Sequence, residues 1–192
     1  MGLAKLKEYI SVEDYLEGEK ISEIKHEYIS GVVYPMYNEV GMAGASDRHN
    51  QIAGRFYARL LGKLDNSECQ VFIESMKLQI DEETFYYPDV LVACDKANRY
   101  FRREPILIIE VLSPSTERLD KNEKLYAYQQ ISTLEEYVIV AQDKMWIEIY
   151  RKQSNGDWVK EVYNETEGTL ELKSVDTTFT IAEIYRGVDL EN

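Results

Sequence analysis

Ile106-Leu-Ile-Ile-Glu-Val-Leu112 is an apolar run holding one acid, and Ser113-Pro-Ser-Thr116 follows it at once. An apolar run of this length bounded by turn residues predicts a buried strand. Glu110 is therefore a carboxylate in the wrong surroundings, because an unpaired buried charge needs a cation, a metal ion or a proton to offset its desolvation. Working outward, Tyr87-Pro-Asp-Val-Leu-Val-Ala93 repeats the pattern: a strand-like segment with Asp89 near its start. Strand side chains alternate, so Glu110 shares a face with Ile106, Ile108 and Leu112, and Asp89 with Tyr87, Leu91 and Ala93. If the two strands are neighbours, the acids converge. A pair of carboxylates with waters and a backbone carbonyl suits Mg²⁺ or Mn²⁺.

The rest of the chain supplies the frame. Ser11-Val-Glu-Asp14 has the capping-box form and opens a short helix to about Leu16. Lys25 to Tyr34 predicts two strands joined at Ser30-Gly31. A glycine turn at Gly41-Met-Ala-Gly44 precedes Ser46, which caps a helix to about Leu64 whose buried stripe is Ile52, Phe56, Leu60 and Leu64. Strands follow near Gln70 to Glu74 and Met76 to Ile80, with an acidic turn at Asp81-Glu-Glu83. A helix from about Thr116 to Ile131 leads to the strand Glu136-Tyr-Val-Ile-Val-Ala141. That helix between two strands predicts one parallel crossover in an otherwise antiparallel sheet. Met145 to Arg151 and Trp158 to Tyr163 form a hairpin across Asn155-Gly156, and shorter strands lie near Leu170 and Phe179. The expected fold is a mixed α/β sheet in a single domain, with a core at about 11–141 and a C-terminal β-rich extension at about 142–192.

Composition limits the function classes. The 192 residues carry a net charge of -13, which argues against coating nucleic acid by bulk electrostatics. Residues 96–124, however, hold seven Lys or Arg against five Asp or Glu, while 133–192 hold six against thirteen. The acid thus lies away from the site, and a locally basic cleft remains compatible with a phosphate-bearing substrate. No run approaches a membrane span and the N-terminus lacks a signal-peptide pattern, so a cytoplasmic location is expected. Cys69 and Cys94 have no metal spacing and no disulfide framework, and are expected to be buried, reduced thiols.

Several motifs together carry a resemblance. Pro88-Asp89 followed by Glu110 on an apolar strand resembles the metal-binding half of the PD-(D/E)xK nuclease superfamily. Glu27-Tyr-Ile-Ser-Gly31, Arg48-His49 at a helix start, Tyr87-Pro-Asp-Val90, Glu110-Val-Leu-Ser-Pro-Ser-Thr116, Asp120-Lys-Asn-Glu-Lys124 and Glu136-Tyr-Val-Ile-Val140 are similar to the Uma family of restriction-endonuclease-like proteins, over residues 11 to 141. The resemblance implies a restriction-endonuclease-like mixed central β-sheet flanked by helices. It also implies a Mg²⁺ or Mn²⁺ site, homodimers and endonuclease activity on DNA. Asp89 and Glu110 are then metal ligands and catalytic acids, with the Val111 carbonyl and Glu27 as further ligands.

One departure matters. The superfamily's lysine stands two residues after the second acid, where this chain has Leu112. Lys124 is the expected replacement, since it lies where the Uma-like pattern has a lysine and shares a helix face with Asp120. Lys121 is second and Lys77 third. His49, Ser113, Ser115 and Thr116 are candidate substrate-binding residues, the last three because free N–H groups at a helix start attract phosphate.

Plainer roles exist for each. Asp89 serves equally as a strand-end residue, Glu110 as a salt-bridge partner of Lys124 or of an arginine between Arg99 and Arg103, and Ser113, Ser115 and Thr116 as caps. His49 and His26 also fit as hydrogen-bonded structural residues, and the fifteen tyrosines as packing residues. Two other functions compete with a nuclease. One is a catalytically inactive nuclease-like module that binds nucleic acid or protein, favoured by Leu112 and the acidic charge. The other uses the two acids as a general acid and base for glycoside hydrolysis.

Overall fold

In the computed structural model, residues 9–36, 46–96, 98–113 and 117–190 are described. The expected turn at Gly41 to Gly44 lies outside them, as do Ser115 and Thr116. Ser11 caps α1 (Val12–Glu19) by accepting from the Asp14 N–H, as its capping pattern predicts, and the helix runs three residues past Leu16. β1 (His26–Ile29) and β2 (Val32–Pro35) form a hairpin. Its turn needs two successive left-handed residues, supplied by Ser30 at φ 48 and Gly31 at φ 83. Ser46 caps α2 (Asp47–Leu64) through the His49 N–H. The stripe Ile52, Phe56 and Leu60 is buried as its period predicts.

The central sheet is built from β3 (Gln70–Ile73), β6 (Val90–Ala93), β8 (Pro105–Leu112), β9 (Glu136–Ala141), β10 (Ile147–Lys152) and β11 (Trp158–Tyr163). Their spatial order is β11-β10-β9-β8-β6-β3. β8 and β9 are parallel and the other neighbours antiparallel, which is the expected single crossover. β10 and β11 extend this central sheet, so the C-terminal segment starts as its continuation. Only β12 (Thr169–Leu172) and β13 (Thr177–Thr180) form a separate two-stranded sheet, followed by α5 (Ile181–Ile184).

A second sheet pairs β1 and β2 with β4 (Lys77–Asp81), β5 (Thr84–Tyr86) and β7 (Phe101–Arg102), in the order β2-β1-β5-β4-β7. Alternation then sorts the core into layers. Val90, Leu107, Ile109, Val111 and Val138 face α2 and the C-terminal sheet, while Leu91, Ile108, Leu112 and Ile139 face Tyr128, Leu134 and the second sheet. Leu112, in the lysine's usual place, is thus a core residue.

Two expectations need correction. The helix from Thr116 to Ile131 is not regular: α3 (Glu117–Leu119) passes into a π-helical turn, Asp120–Lys124, and then α4 (Leu125–Gln129). The wider turn buries both Asp120 and Lys124, two charged residues that packing holds inward. Cys69 and Cys94 are not free thiols but a disulfide, each half-buried. Pairing of Gln70 with Ala93 in the β3–β6 ladder sets the next residue on each strand face to face, with a Cα–Cα distance of 3.9 Å. That adjacency exists only once the register is known.

Candidate active site

Register brings the two acids together. β6 and β8 pair Val90 with Ile109, so one step further Asp89 stands opposite Glu110. The Asp89 N–H donates to Glu110 Oε2 at 3.1 Å, and the Val111 N–H donates to Asp89 Oδ2 at 2.7 Å. Each carboxylate therefore grips the other strand's backbone. On its far side Asp89 Oδ2 meets His49 Nε2 at 3.0 Å, from the first turn of α2.

The π-helical turn covers Glu110 from the other direction. Lys124 Nζ lies 3.1 Å from Glu110 Oε1, 3.2 Å from Glu27 Oε1 and 3.2 Å from Asp120 Oδ1. The Tyr128 hydroxyl donates to Glu110 Oε1 at 2.9 Å. One ammonium thus serves three carboxylates, with Asp89 as a fourth acid close by. The cluster is deeply buried, with Glu110 2% and Lys124 4% exposed.

Electrostatics follow from that crowding. Burial pushes the Glu110 carboxyl well above its ordinary range; Lys124 opposes this, and the Asp89 and Asp120 charges add to it. Burial would lower the Lys124 amine, but Glu110 and Asp120 outweigh it and hold the ammonium firmly protonated. At His49 burial also pulls down, yet the hydrogen bond and charge of Asp89, with Glu74 and Asp120 behind, leave the imidazole raised.

The remaining predicted residues divide. Glu27 joins the cluster as a partner of Lys124, and Val111 meets Asp89 through its N–H. Lys121 pairs with Glu117 at 2.8 Å and lines a separate cleft of about 600 Å³ at the ends of β8 and β9, together with Arg48, Leu112, Ser113 and Gln142. Lys77 lies elsewhere, over the Tyr87 ring. Ser115 and Thr116 fall outside the described residues.

Comparison with known proteins matches this architecture. The family model described as "Uma2: Putative restriction endonuclease" matches residues 12–182. The chain belongs to the Uma2 family. The uncharacterized protein slr1290 of Synechocystis sp. is 35% identical over 183 residues, 93% of each chain. The uncharacterized protein sll1609 of the same organism is 31% identical over 156 residues, covering 78% of this chain and 85% of that one. A crystal structure described as a putative nuclease belonging to DUF820, from Anabaena variabilis, superposes with a TM-score of 0.70 at 17% identity, over 92% of this chain and 97% of that one. The two share one fold.

Within this Uma2 fold, four side chains near the acids escaped the sequence. Tyr128 had a weak signal, lying four residues after Lys124 and so one helical turn along. Asp120 shared that face but had no assigned role. Gln142 follows the apolar strand β9 and donates to the Leu112 carbonyl at 2.8 Å, closing the cleft. Glu74 gave no signal at all. It ends the segment after β3 in a left-handed conformation, φ 53, with its N–H donating to the Asp89 carbonyl at 2.9 Å and its carboxylate 4.0 Å from His49 Nδ1.

Proposed function

We propose that the protein is a Mg²⁺-dependent endonuclease that hydrolyses phosphodiester bonds of DNA, acting in the cytoplasm as a homodimer. The observation that carries this is the convergence of Asp89, Glu110 and Lys124, three parts of the nuclease motif drawn from β6, β8 and the π-helical turn. The donor set fits a divalent ion by its charge. Three acids share one ammonium with Asp89 close by, and burial, with the Asp89 and Asp120 charges, makes Glu110 resist ionisation, which a further cation would relieve.

Among the described residues no three His, Cys, Asp or Glu side chains form a ready-made cage. That is compatible with Mg²⁺, which takes one or two carboxylates and fills its other positions with water and substrate oxygens. Asp89 and Glu110 would hold the ion, with the Val111 carbonyl beside them. Bound there, a divalent ion would supply positive charge to the phosphoryl oxygens of the substrate.

The chain's own groups supply the positioning. Lys124 holds Glu110 from behind and offsets its charge, Tyr128 fixes the same oxygen, and His49 with the Val111 N–H orients Asp89. Incubating plasmid with purified protein and Mg²⁺ or Mn²⁺ tests the proposal. Cleavage that EDTA abolishes and Asp89→Asn removes supports it, whereas no metal-dependent cleavage of plasmid or linear DNA overturns it.

A second function is favoured by one observation, the burial of Glu110 and Lys124 together behind a leucine at position 112. It is a non-cutting nuclease-like module that binds nucleic acid or protein. Isothermal titration with Mn²⁺ separates the two, because a module of this kind shows no ion binding that depends on Asp89 and Glu110.

A further inference from the structure

A second cavity, of about 490 Å³, lies beside Lys77, whose ammonium sits over the Tyr87 ring. It is lined by Leu16, Glu17, Glu19, Lys20, Lys77, Asn98, Tyr100 and Phe101. Its volume is that of a small-molecule site, large enough for one nucleotide and too small for a duplex. Lys77 is the notable wall residue. It is half-buried, with the Tyr87 ring 5.4 Å from Nζ to centroid and the Glu19 carboxylate near enough to act on its charge.

The acids in the same wall are already engaged. Glu17 pairs with Lys20, while Glu19 meets His26 Nδ1 at 2.7 Å and the Tyr87 hydroxyl at 2.6 Å. Among the described residues Lys77 is therefore the wall cation with no bonded carboxylate, and the Tyr100 ring carries Lys20 on one side, 5.7 Å from Nζ to centroid. Tyr100 is 61% exposed, and Arg99 and Lys96, on the same loop, are exposed as well.

The cavity connects to the acids through a short chain of contacts. Lys25 Nζ lies 5.8 Å from the Tyr87 centroid and donates to the Glu74 carbonyl at 2.7 Å, and the Glu74 N–H donates to the Asp89 carbonyl at 2.9 Å. Tyr87 itself is two residues, at most about 7 Å of chain, from Asp89.

We infer that this cavity is a subsite for one unpaired nucleotide of a single-stranded nucleic acid, its base stacked on Tyr100 and its phosphate on Lys77. This rests on the nuclease assignment of the Asp89 site. Stacking accepts any base because every base presents a π-face, and the lysine tracks the backbone without reading sequence. Burial lowers the Lys77 amine although the Glu19 charge opposes this, and a phosphate there would add further counter-charge.

Fluorescence anisotropy with a labelled single-stranded DNA oligonucleotide in EDTA tests the subsite without any cleavage. Wild type, Tyr100→Ala and Lys77→Met are compared on that strand and on the same sequence as duplex, with Tyr100→Trp as the conservative rescue. Each disabling variant is expected to weaken single-strand binding roughly 5- to 100-fold. Duplex affinity stays within about twofold, a change under ~0.5 kcal/mol, and Tyr100→Trp restores the single-strand value. Equal single-strand affinity for all proteins, no single-strand binding by wild type, or equal losses on duplex overturns the inference. Plasmid cleavage by wild type with Mg²⁺ reports separately on the nuclease assignment, which survives any of those results.

Discussion

Asp89 and Glu110 hold each other's strands: the Asp89 N–H donates to Glu110 Oε2 while the N–H next to Glu110, that of Val111, donates to Asp89 Oδ2. The two acids are therefore one mechanical unit, and changing either disturbs the placement of both. Asp89→Asn and Glu110→Gln should each lower metal-dependent cleavage by about 100- to 1000-fold. Groups that act as a unit are not additive. The double variant should be no slower than the worse single one, and single-turnover rates that multiply instead would show two independent roles.

Acidity should report the burial of Glu110. Its carboxyl is raised well above 4.5, so the folded protein keeps a proton that the unfolded chain releases. Stability from this group is complete below about pH 4.5 and is lost as pH rises toward the folded value, at up to about 1.4 kcal/mol per pH unit. Urea unfolding in EDTA between pH 5 and 8 should show that decline in wild type and a shallower one in Glu110→Gln. Saturating Mg²⁺ should reduce the decline, since a bound cation favours the ionised carboxylate.

Lys124→Met leaves Glu27, Glu110 and Asp120 without their shared ammonium in a dry site. A loss of about 3–5 kcal/mol at pH 8 is expected, as for other broken buried pairs. The loss should shrink toward pH 5, in the direction that favours the protonated Glu110 carboxyl. Chemical denaturation at the two pH values checks this, and a deficit that does not depend on pH would point to packing instead.

Much of this site was legible because its residues break local rules. Glu110 and Asp89 stood out as acids in apolar strands, Ser46 as a cap, and Asn155-Gly156 as a hairpin. Lys124 could be chosen over Lys121 and Lys77 from the helical face it shares with Asp120 and from the family pattern. The illegible parts depend on pairing between distant segments. Glu74 reaches the site through a left-handed residue that nothing in its composition announces, and the Cys69–Cys94 bond needs the β3–β6 register. Tyr128 looked like any helical tyrosine until Glu110 lay beneath it.

The disulfide gives a separate prediction. It closes a loop with a sequence separation of 25, and loops of this size are worth about 3 kcal/mol through the unfolded chain. Dithiothreitol should lower the urea midpoint accordingly, with Cys69→Ser showing no further response to reductant. The cytoplasm proposed for this protein is reducing, so the reduced form's stability is the figure that governs its behaviour there.

The π-helical turn between Leu119 and Leu125 carries one residue more than a regular helix needs to cover the same rise. Deleting Asn122 would let the segment relax to a plain α-helix covering the same rise, so the helix beyond the cut would keep its orientation while the residues inside the turn would change their spacing. Lys124, inside the turn, would then lose its present spacing from Asp120, although neither had been mutated. The spacing between Asp120 and Lys124 is thus a counted length, and a helix of better backbone geometry would hold Lys124 less well against Glu110.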